Sequence, residues 1–253
     1  MAIAGATIAT LFFAVPLLGL LWRAPWSSAW EQLTNHETLV ALRLSLETSL
    51  AATALAVVFG VPLAWVQARV AYPGRRLVRA LTTLPMVLPP VVGGIALFLA
   101  FGRLGLVGQY LDKVGVHLPF HVPGAIAAEL FVSMPFLVLV VEAAFRSADQ
   151  RLEDAARTLG ASRFSVFRRV ALPSIRPALV AGAVLCWARA LGEFGATITF
   201  AGNLQGKTQT LPLFVYVTLE RGELAAAIVP SLLLLVISVA VLVSLRDRWL
   251  SAL

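Results

Sequence analysis

Six long, continuous apolar runs constrain this chain more than any other feature of its sequence. Each run approaches or exceeds the roughly 20 residues that an α-helix needs to cross a hydrocarbon core about 30 Å thick. The runs are unbroken blocks rich in Leu, Val and Ala, which favours helices over the alternating strands of a membrane barrel. The sequence therefore predicts an all-α membrane protein with six spans, at residues 2–22, 46–66, 84–101, 122–145, 178–200 and 224–245.

The rest of the composition fits one membrane domain over residues 1–253. Only 13% of the residues are charged, about half the fraction usual for a soluble domain. No Lys or Arg precedes the first run, and no clear small-residue cleavage site follows it, so we expect a retained span rather than a signal peptide. An even number of spans puts both termini on the same side of the membrane.

The basic residues are distributed unevenly between the two predicted sides. Thirteen of the 20 Lys and Arg residues flank the loops after the second, fourth and sixth runs, six flank the opposite side, and Arg189 lies within the fifth run. The positive-inside rule then predicts a multi-pass cell-membrane protein with both termini in the cytoplasm. Because topology accounts for most of the net charge of +7, that charge is not evidence for nucleic-acid binding.

The sequence offers no catalytic or metal-binding set. Cys186 is the only cysteine, which excludes intrachain disulfides and Cys-rich metal sites. The three histidines lack metal-ligand spacing, and no HExxH, GxSxG or paired intramembrane aspartates are present. Residues 201–208 nearly match a phosphate-binding loop, but Ala201 replaces the first glycine and no strand precedes it, so we expect no ATPase in this chain.

Residues 146–176, hereafter the charged segment, are long, charged and rich in signals for helix ends. Asp149 is a plausible N-cap, and Gly160 supplies a left-handed residue that ends a helix of about ten residues. Leu152, Ala155, Ala156 and Leu159 follow the i, i+3, i+4, i+7 pattern of one apolar stripe. A stripe this small cannot form a core, but its two alanines allow close approach to a partner. Glu153 and Arg157 are spaced as a favourable i, i+4 pair.

This segment resembles the hallmark of the permeases of binding-protein-dependent ATP-binding-cassette importers. That hallmark is Glu-Ala-Ala, a glycine four residues later and an apolar-x-Leu-Pro about ten residues further on. Here Asp154-Ala155-Ala156, Gly160 and Val170-Ala171-Leu172-Pro173 match it, with Asp154 where the family usually has Glu. The resemblance implies a cytoplasmic coupling helix that docks on a separate ATPase subunit through Leu152, Glu153, Asp154, Ala155, Ala156, Leu159, Gly160, Leu172 and Pro173.

The fifth run carries charge at a depth where charge is costly. Arg189 and Glu193 are one helical turn apart, beside Gly192 and Gly195. A charged residue near the bilayer centre costs at least about 2.5–3.5 kcal/mol, so this face must meet protein or an aqueous path. Two interpretations remain open for Arg189: it pairs with Glu193 and holds the bundle together, or it presents its guanidinium to a passing oxyanion.

The third run contains Pro85, Pro89, Pro90, Gly93 and Gly94. Such prolines bend a helix, which membranes tolerate where the backbone is covered by protein or lines a cavity. The run is predicted to line a pathway or gate, with a simple packing kink as the alternative. Together, the candidates for the pathway are Pro85, Pro89, Pro90, Gly93, Arg189, Gly192, Glu193, Gly195 and Thr197.

Residues 84–94, 153–173 and 189–200 look like the permeases of molybdate and tungstate importers, with sulfate or thiosulfate permeases next. The resemblance implies a type I importer fold, a homodimer, two ATPase subunits that bind ATP and Mg, and an extracytoplasmic substrate-binding protein. This chain itself would bind no cofactor. From another class, an ion-coupled secondary transporter or channel also accommodates kinked helices and an intramembrane Arg-Glu pair. The segment around Ala155 and Ala156 has no evident use in such a protein.

Overall fold

The computed structural model describes the backbone of residues 1–250 and the side chains of residues 1–243. Over this range the chain is helical, and no β-strand is present in the part that the structure describes. The first seven helices are α1 (Ala2–Trp22), α2 (Ala29–Thr34), α3 (His36–Arg69), α4 (Arg75–Val87), α5 (Pro90–Phe101), α6 (Gly108–Lys113) and α7 (Val122–Ser147).

The second half of the chain begins with the charged segment. It contains α8 (Gln150–Thr158), α9 (Arg163–Val166), a π-helical turn (Phe167–Ala171) and α10 (Leu172–Ser174). The remaining helices are α11 (Arg176–Leu191), α12 (Gly195–Phe200), α13 (Leu211–Glu220) and α14 (Leu224–Leu250).

Within the described residues, four helices are long and apolar enough to cross a membrane unbroken: α1, α3, α7 and α14. They correspond to the first, second, fourth and sixth predicted spans. The pair formed by Arg163–Ser174 and α11 is bent by 79° and raises the number to five if it is one span. The predicted total of six therefore stays a prediction.

The third and fifth predicted spans are each divided in the structure. Residues 84–101 do not form one helix: α4 ends at Val87, Leu88 and Pro89 are extended, and Pro90 opens α5. The physical reason is that a residue before proline is pushed out of the helical region, and Leu88 and Pro89 each precede a proline. In the fifth span, α11 ends at Leu191 and α12 begins only at Gly195.

Small residues bring α3 and α7 together in the centre of the bundle. Ala52, Ala56, Gly60 and Ala64 recur every four residues along α3, and all four are buried. Such a stripe lets two membrane helices approach closely. A side-chain carbon placed on Gly60 would lie 3.1 Å from Val138 Cγ2 of α7. The core next to this contact includes Leu137, Val138, Val141 and Phe145 of α7 and Cys186 of α11.

The helix α1 lies at the edge of this bundle. None of its residues is buried, and its large side chains are mostly exposed. Its end contacts α14 through a small cluster in which Leu20 packs with Ala24, Ile228 and Leu232. The sequence predicted α1 as a span, and its uncovered, largely apolar surface suits contact with lipid.

Candidate functional site

The helix α8 forms within the charged segment as its local sequence predicts. The Asp149 side chain accepts a hydrogen bond from the backbone N–H of Arg151 at 3.0 Å, which caps the helix. Gly160 adopts φ of +85°, the left-handed conformation that ends a helix at low cost for glycine. The backbone N–H groups of Gly160 and Ala161 close the last turn by donating to the carbonyls of Arg157 and Ala156.

The apolar stripe of α8 is uncovered in this chain. Leu152 is 57% exposed and Leu159 is 89% exposed. Ala155 is exposed as well, and Ala156 is half-buried. Hydrophobic side chains at helical spacing that find no partner in their own chain are typical of a contact surface for another protein.

Glu153, unlike its exposed neighbours on α8, is almost fully buried. Its carboxylate lies 2.9 Å from the guanidinium of Arg69, the last residue of α3. A second guanidinium nitrogen of Arg69 donates to the carbonyl of Ala148 at 3.1 Å. The expected i, i+4 partner, Arg157, lies further away at 3.7 Å. The ionic contact with Arg69 therefore anchors α8 to the bundle and leaves its apolar stripe outward.

The later motif residues Leu172 and Pro173 lie elsewhere. Both are half-buried, and Leu172 packs against the core formed by α3, α7 and α11. They sit just before the 79° bend that leads into α11. The structure therefore separates the sequence motif into an outward stripe on α8 and an inward bend beside the core.

The Arg189–Glu193 pair that the spacing suggests is formed. Arg189 Nη1 lies 2.7 Å from Glu193 Oε2, with the arginine side chain 29% exposed and the glutamate 1% exposed. The other oxygen, Glu193 Oε1, accepts a hydrogen bond from the backbone N–H of Ala196 at 2.8 Å. One carboxylate thus serves both the end of α11 and the start of α12, while the guanidinium keeps an accessible edge.

The third and fifth predicted spans meet at their breaks. A side-chain carbon on Gly195 would lie 2.8 Å from Pro90 Cβ, so the start of α12 contacts the start of α5 closely. A carbon on Gly94 would lie 2.9 Å from the carbonyl oxygen of Ala196. Thr197 is fully buried next to this contact, and its hydroxyl has no hydrogen-bond partner among the described residues.

The other pathway candidates are more dispersed. Pro85 is buried within α4, whereas Pro89 and Gly192 are exposed at the two breaks. Gly93 faces α7, where an added carbon would lie 3.1 Å from Phe131 Cε1. The structure therefore brings Pro90 and Gly195 into contact, whereas the remaining pathway candidates do not form one cluster with them.

Sequence reasoning missed two buried acidic residues of α7. Glu129 is 2% exposed and accepts a hydrogen bond from the Thr48 hydroxyl of α3 at 2.8 Å. Glu142 is 5% exposed and lies 2.6 Å from Arg79 of α4 and 2.7 Å from Arg146. An acidic residue inside a membrane-length apolar run was the available signal for both.

The residues between the fifth and sixth predicted spans, for which the sequence analysis predicts no helix, contain α13. The segment that nearly matches a phosphate-binding loop is a turn, in which Gly202 and Gly206 have positive φ. The backbone N–H groups of Lys207 and Thr208 point to the carbonyl of Leu204 and so do not form an open cradle.

A bundle of apolar helices with broken spans and an uncovered helix on its charged segment is the arrangement expected of a multi-pass membrane transport subunit. The family model described as "Binding-protein-dependent transport system inner membrane component" matches residues 56–252. The chain belongs to this family of permeases.

Curated relatives cover nearly the whole chain. The Molybdenum transport system permease protein ModB of Mycobacterium tuberculosis is 46% identical over 239 residues, 94% of this chain and 90% of that protein. ModB of Escherichia coli K12 is 40% identical over 83% of this chain and 92% of its own length. The Sulfate transport system permease protein CysT of Salmonella typhimurium is 36% identical over 93% of this chain and 86% of its own length.

Solved structures show the same fold. A chain of a bacterial ABC transporter that imports the acidic polysaccharide alginate aligns with a TM-score of 0.72 at 20% identity, over 98% of this chain and 92% of that one. A chain of the MetNI methionine ABC transporter in an inward-facing conformation aligns with a TM-score of 0.57 at 19% identity, over 85% of this chain and 99% of that one. At these identities the likeness concerns the fold alone, and it agrees with the predicted type I importer architecture.

Proposed function

We propose that this chain is the permease subunit of an ATP-driven importer and forms the translocation pathway for a tetrahedral oxyanion, molybdate or the closely similar tungstate. The observation that carries the substrate assignment is the 46% identity, over 94% of the chain, to a relative named as a molybdenum transport permease. Family membership supports the transport class, because the match covers residues 56–252.

We propose that α8 is the coupling helix, with its apolar stripe docked on an ATPase subunit in the cytoplasm. Leu152 and Leu159 are exposed and available for that contact, and Ala155 lets the partner approach closely. Glu153 has the complementary role of holding α8 on its own bundle through Arg69. The exposed Asp154 stands where it could contact the partner, and Gly160 ends the helix.

The remaining partners follow from the transporter class. The pathway would lie between two copies of this chain, with two ATPase subunits on the cytoplasmic side holding ATP and Mg²⁺. A substrate-binding protein would deliver the oxyanion from outside, and one solved neighbour is an alginate transporter in complex with its substrate-bound periplasmic protein. Both termini would be cytoplasmic, on the side of the Arg-rich loops.

We propose that motion passes from the ATPase to the pathway through two connections of the charged segment. Closure of the ATPase subunits on ATP would move α8, which is tied to α3 by the Arg69–Glu153 ion pair. It would also move the bend before α11, the helix that carries Arg189. At the far end of α11, the close contact of Gly195 with Pro90 offers a gate between the broken spans.

Cross-linking tests the docking role. Cys186 is the only cysteine and is buried, so a cysteine at Ala155 adds one accessible thiol. In native membranes, a thiol-reactive photo-cross-linker at Ala155→Cys is expected to capture an ATP-hydrolysing subunit. The matched control is Leu104→Cys, where no such capture is expected, because this residue is 99% exposed between the third and fourth predicted spans, on the side opposite the Arg-rich loops. Absence of the ATPase from the Ala155 product would contradict the proposal.

Uptake experiments test the substrate. A strain lacking this protein is expected to accumulate labelled molybdate only when the gene is restored, and tungstate is expected to compete better than sulfate at equal excess. A sulfate permease is the second candidate, because a 36% identical relative carries that name. Stronger competition by sulfate than by tungstate would favour it.

Reconstitution separates the importer from an ion-coupled transporter or channel. The purified chain alone in liposomes with a proton or sodium gradient is expected to move no molybdate. The complete complex with ATP is expected to move it. Gradient-driven uptake by the chain alone would overturn the importer assignment, and family membership argues against that outcome.

A further inference from the structure

A cavity of about 570 Å³ lies between the end of α3 and the part of the charged segment that follows α8. Two of its walls are apolar. Pro62, Trp65 and Val66 of α3 form one of them, and Phe164 and Phe167 of the charged segment form the other. This cavity is separate from the α8 stripe and from the breaks near Gly195, because its lining includes no residue of either.

The cavity also has a basic rim made of Arg69, Arg157 and Arg163. Arg69 is paired with Glu153 at 2.9 Å, and Arg157 lies 3.7 Å from Glu153 and 3.3 Å from Asp154. Arg163 is exposed and forms no ion pair among the residues whose side chains the structure describes. Three guanidinium groups therefore face two carboxylates, which leaves one positive charge at the mouth of the cavity uncompensated.

The position of the cavity along α3 sets the depth at which it opens. Trp65 lies one helical turn before Arg69, the last residue of a helix long and apolar enough to cross the membrane. Tryptophan and arginine at the end of such a helix are typical of the level where hydrocarbon gives way to head groups. The apolar walls thus lie toward the hydrocarbon and the arginines toward the head groups.

We infer that this cavity binds an anionic phospholipid, with its phosphate at Arg163 and Arg157 and the upper part of an acyl chain between Trp65 and Phe164. Basic pockets between membrane helices on the cytoplasmic side bind acidic lipid head groups, and guanidinium groups suit forked contacts with phosphate. A small soluble anion would use the arginines but would leave the aromatic walls without a function. The combination of both surfaces selects a lipid.

A bound lipid would contact two elements that the proposed mechanism connects. Trp65 belongs to α3, whereas Phe164 and Arg163 belong to the charged segment that follows α8. The inference does not depend on the transported substrate, since it uses only the membrane location of the chain and the residues of this cavity. Failure of molybdate uptake would therefore leave it unaffected.

Native mass spectrometry of the purified full-length chain tests the site. After exchange into phosphatidylglycerol or phosphatidylcholine of identical acyl chains, the protein is expected to retain phosphatidylglycerol several-fold more. Arg163→Gln is expected to weaken that retention about fivefold, the effect of one basic residue at a membrane surface. The matched control is Arg168→Gln, which removes the same charge from an exposed neighbour outside the cavity lining and is expected to retain the lipid.

Three results with the chain alone would overturn the inference. The first is equal retention of the two lipids, and the second is an equal loss in Arg163→Gln and Arg168→Gln, which would indicate general surface charge. The third is displacement of the lipid by millimolar inorganic phosphate, which would assign the site to a free anion. Retention of phosphatidylglycerol after the ATPase subunit binds would support the inference, and its expulsion would assign the cavity to the protein interface.

Discussion

The Arg69 guanidinium at the end of α3 lies 2.9 Å from the Glu153 carboxylate of α8, and the two side chains are only 7% and 3% exposed. This pair joins a membrane-length helix to the helix that carries the uncovered apolar stripe. A neighbouring pair, Arg157–Glu153, has a longer distance of 3.7 Å and a 41% exposed arginine. The two arginines therefore share one carboxylate in different environments.

The first prediction concerns this difference in burial. Arg69→Met is expected to destabilise the folded charged segment by about 3–5 kcal/mol, because it leaves the Glu153 carboxylate buried without its main partner. Arg157→Met is expected to cost at most about 1 kcal/mol, as exposed ion pairs do. Limited proteolysis within the charged segment and detergent-induced unfolding of the purified chain measure both. Equal effects of the two substitutions would show that Arg69 does not anchor α8.

A double variant separates the pair from the individual residues. Arg69→Met combined with Glu153→Leu removes both charges, so no unpaired buried charge remains, and it is expected to be less destabilised than Arg69→Met alone. An additive double loss would contradict the ion-pair explanation and indicate that each residue acts through other contacts.

The second prediction concerns the end of α8. Gly160 has φ of +85°, so Gly160→Ala is expected to strain the backbone by about 1–2 kcal/mol, and Gly160→Asn by less. Gly160→Pro removes the N–H that donates to the Arg157 carbonyl and cannot adopt positive φ. It is expected to abolish ATP-coupled uptake while membrane insertion persists.

Two measurements check the expected effects of the Gly160 substitutions: uptake by intact cells and the amount of protein in the membrane fraction. The matched control is Gly19→Ala in α1, which adds the same carbon where nothing lies within 4 Å and φ is not positive. Normal uptake by Gly160→Pro would count against a coupling role for α8.

Structural features that depend on a few neighbouring residues could be predicted from the sequence. The cap at Asp149 and the left-handed Gly160 were predictable because each depends on a few adjacent residues, and the structure has both. The apolar runs likewise identify the long helices, because hydrocarbon thickness sets their length. The helix α13 was not predicted because its ten residues are too few to cross a membrane.

Contacts between distant residues were not predictable in the same way. Arg69 and Glu153 are separated by 84 positions, and nothing near either residue indicates the other. Burial of Glu153 beside an exposed Leu152 also depends on how α8 lies on the bundle. The prolines of the third run predicted a bend, but only the folded chain brings Pro90 against Gly195.

The third prediction concerns that contact. Gly195→Ala is expected to destabilise the protein by about 1–3 kcal/mol, because the new carbon would lie 2.8 Å from Pro90 Cβ and 3.2 Å from the backbone nitrogen of Val91. Gly192→Ala, three residues earlier, meets nothing closer than the Ala188 carbonyl at 3.6 Å and serves as the control. Unfolding midpoints in detergent compare the two, and equal midpoints would refute the close contact of α5 with α12.

The fourth prediction decides between the two interpretations of Arg189. Arg189→Met leaves the Glu193 carboxylate, which is 1% exposed, without its counter-ion. The substitution is expected to lower the free energy of unfolding by about 3–5 kcal/mol and to reduce the amount of assembled protein in the membrane. Arg43→Met is the control, because the Arg43–Glu47 pair has the same i, i+4 spacing but side chains 80% and 54% exposed. It is expected to leave assembly unchanged.

The double variant Arg189→Met/Glu193→Gln then separates assembly from conduction. Glutamine keeps an oxygen that can accept the Ala196 N–H hydrogen bond and removes the unpaired charge, so assembly is expected to recover. If the only role of Arg189 is to pair with Glu193, uptake of labelled molybdate recovers at least in part when assembly recovers. This is the result we expect. Full recovery of membrane-inserted protein with no recovery of uptake would instead show that the 29% exposed guanidinium acts on the passing oxyanion.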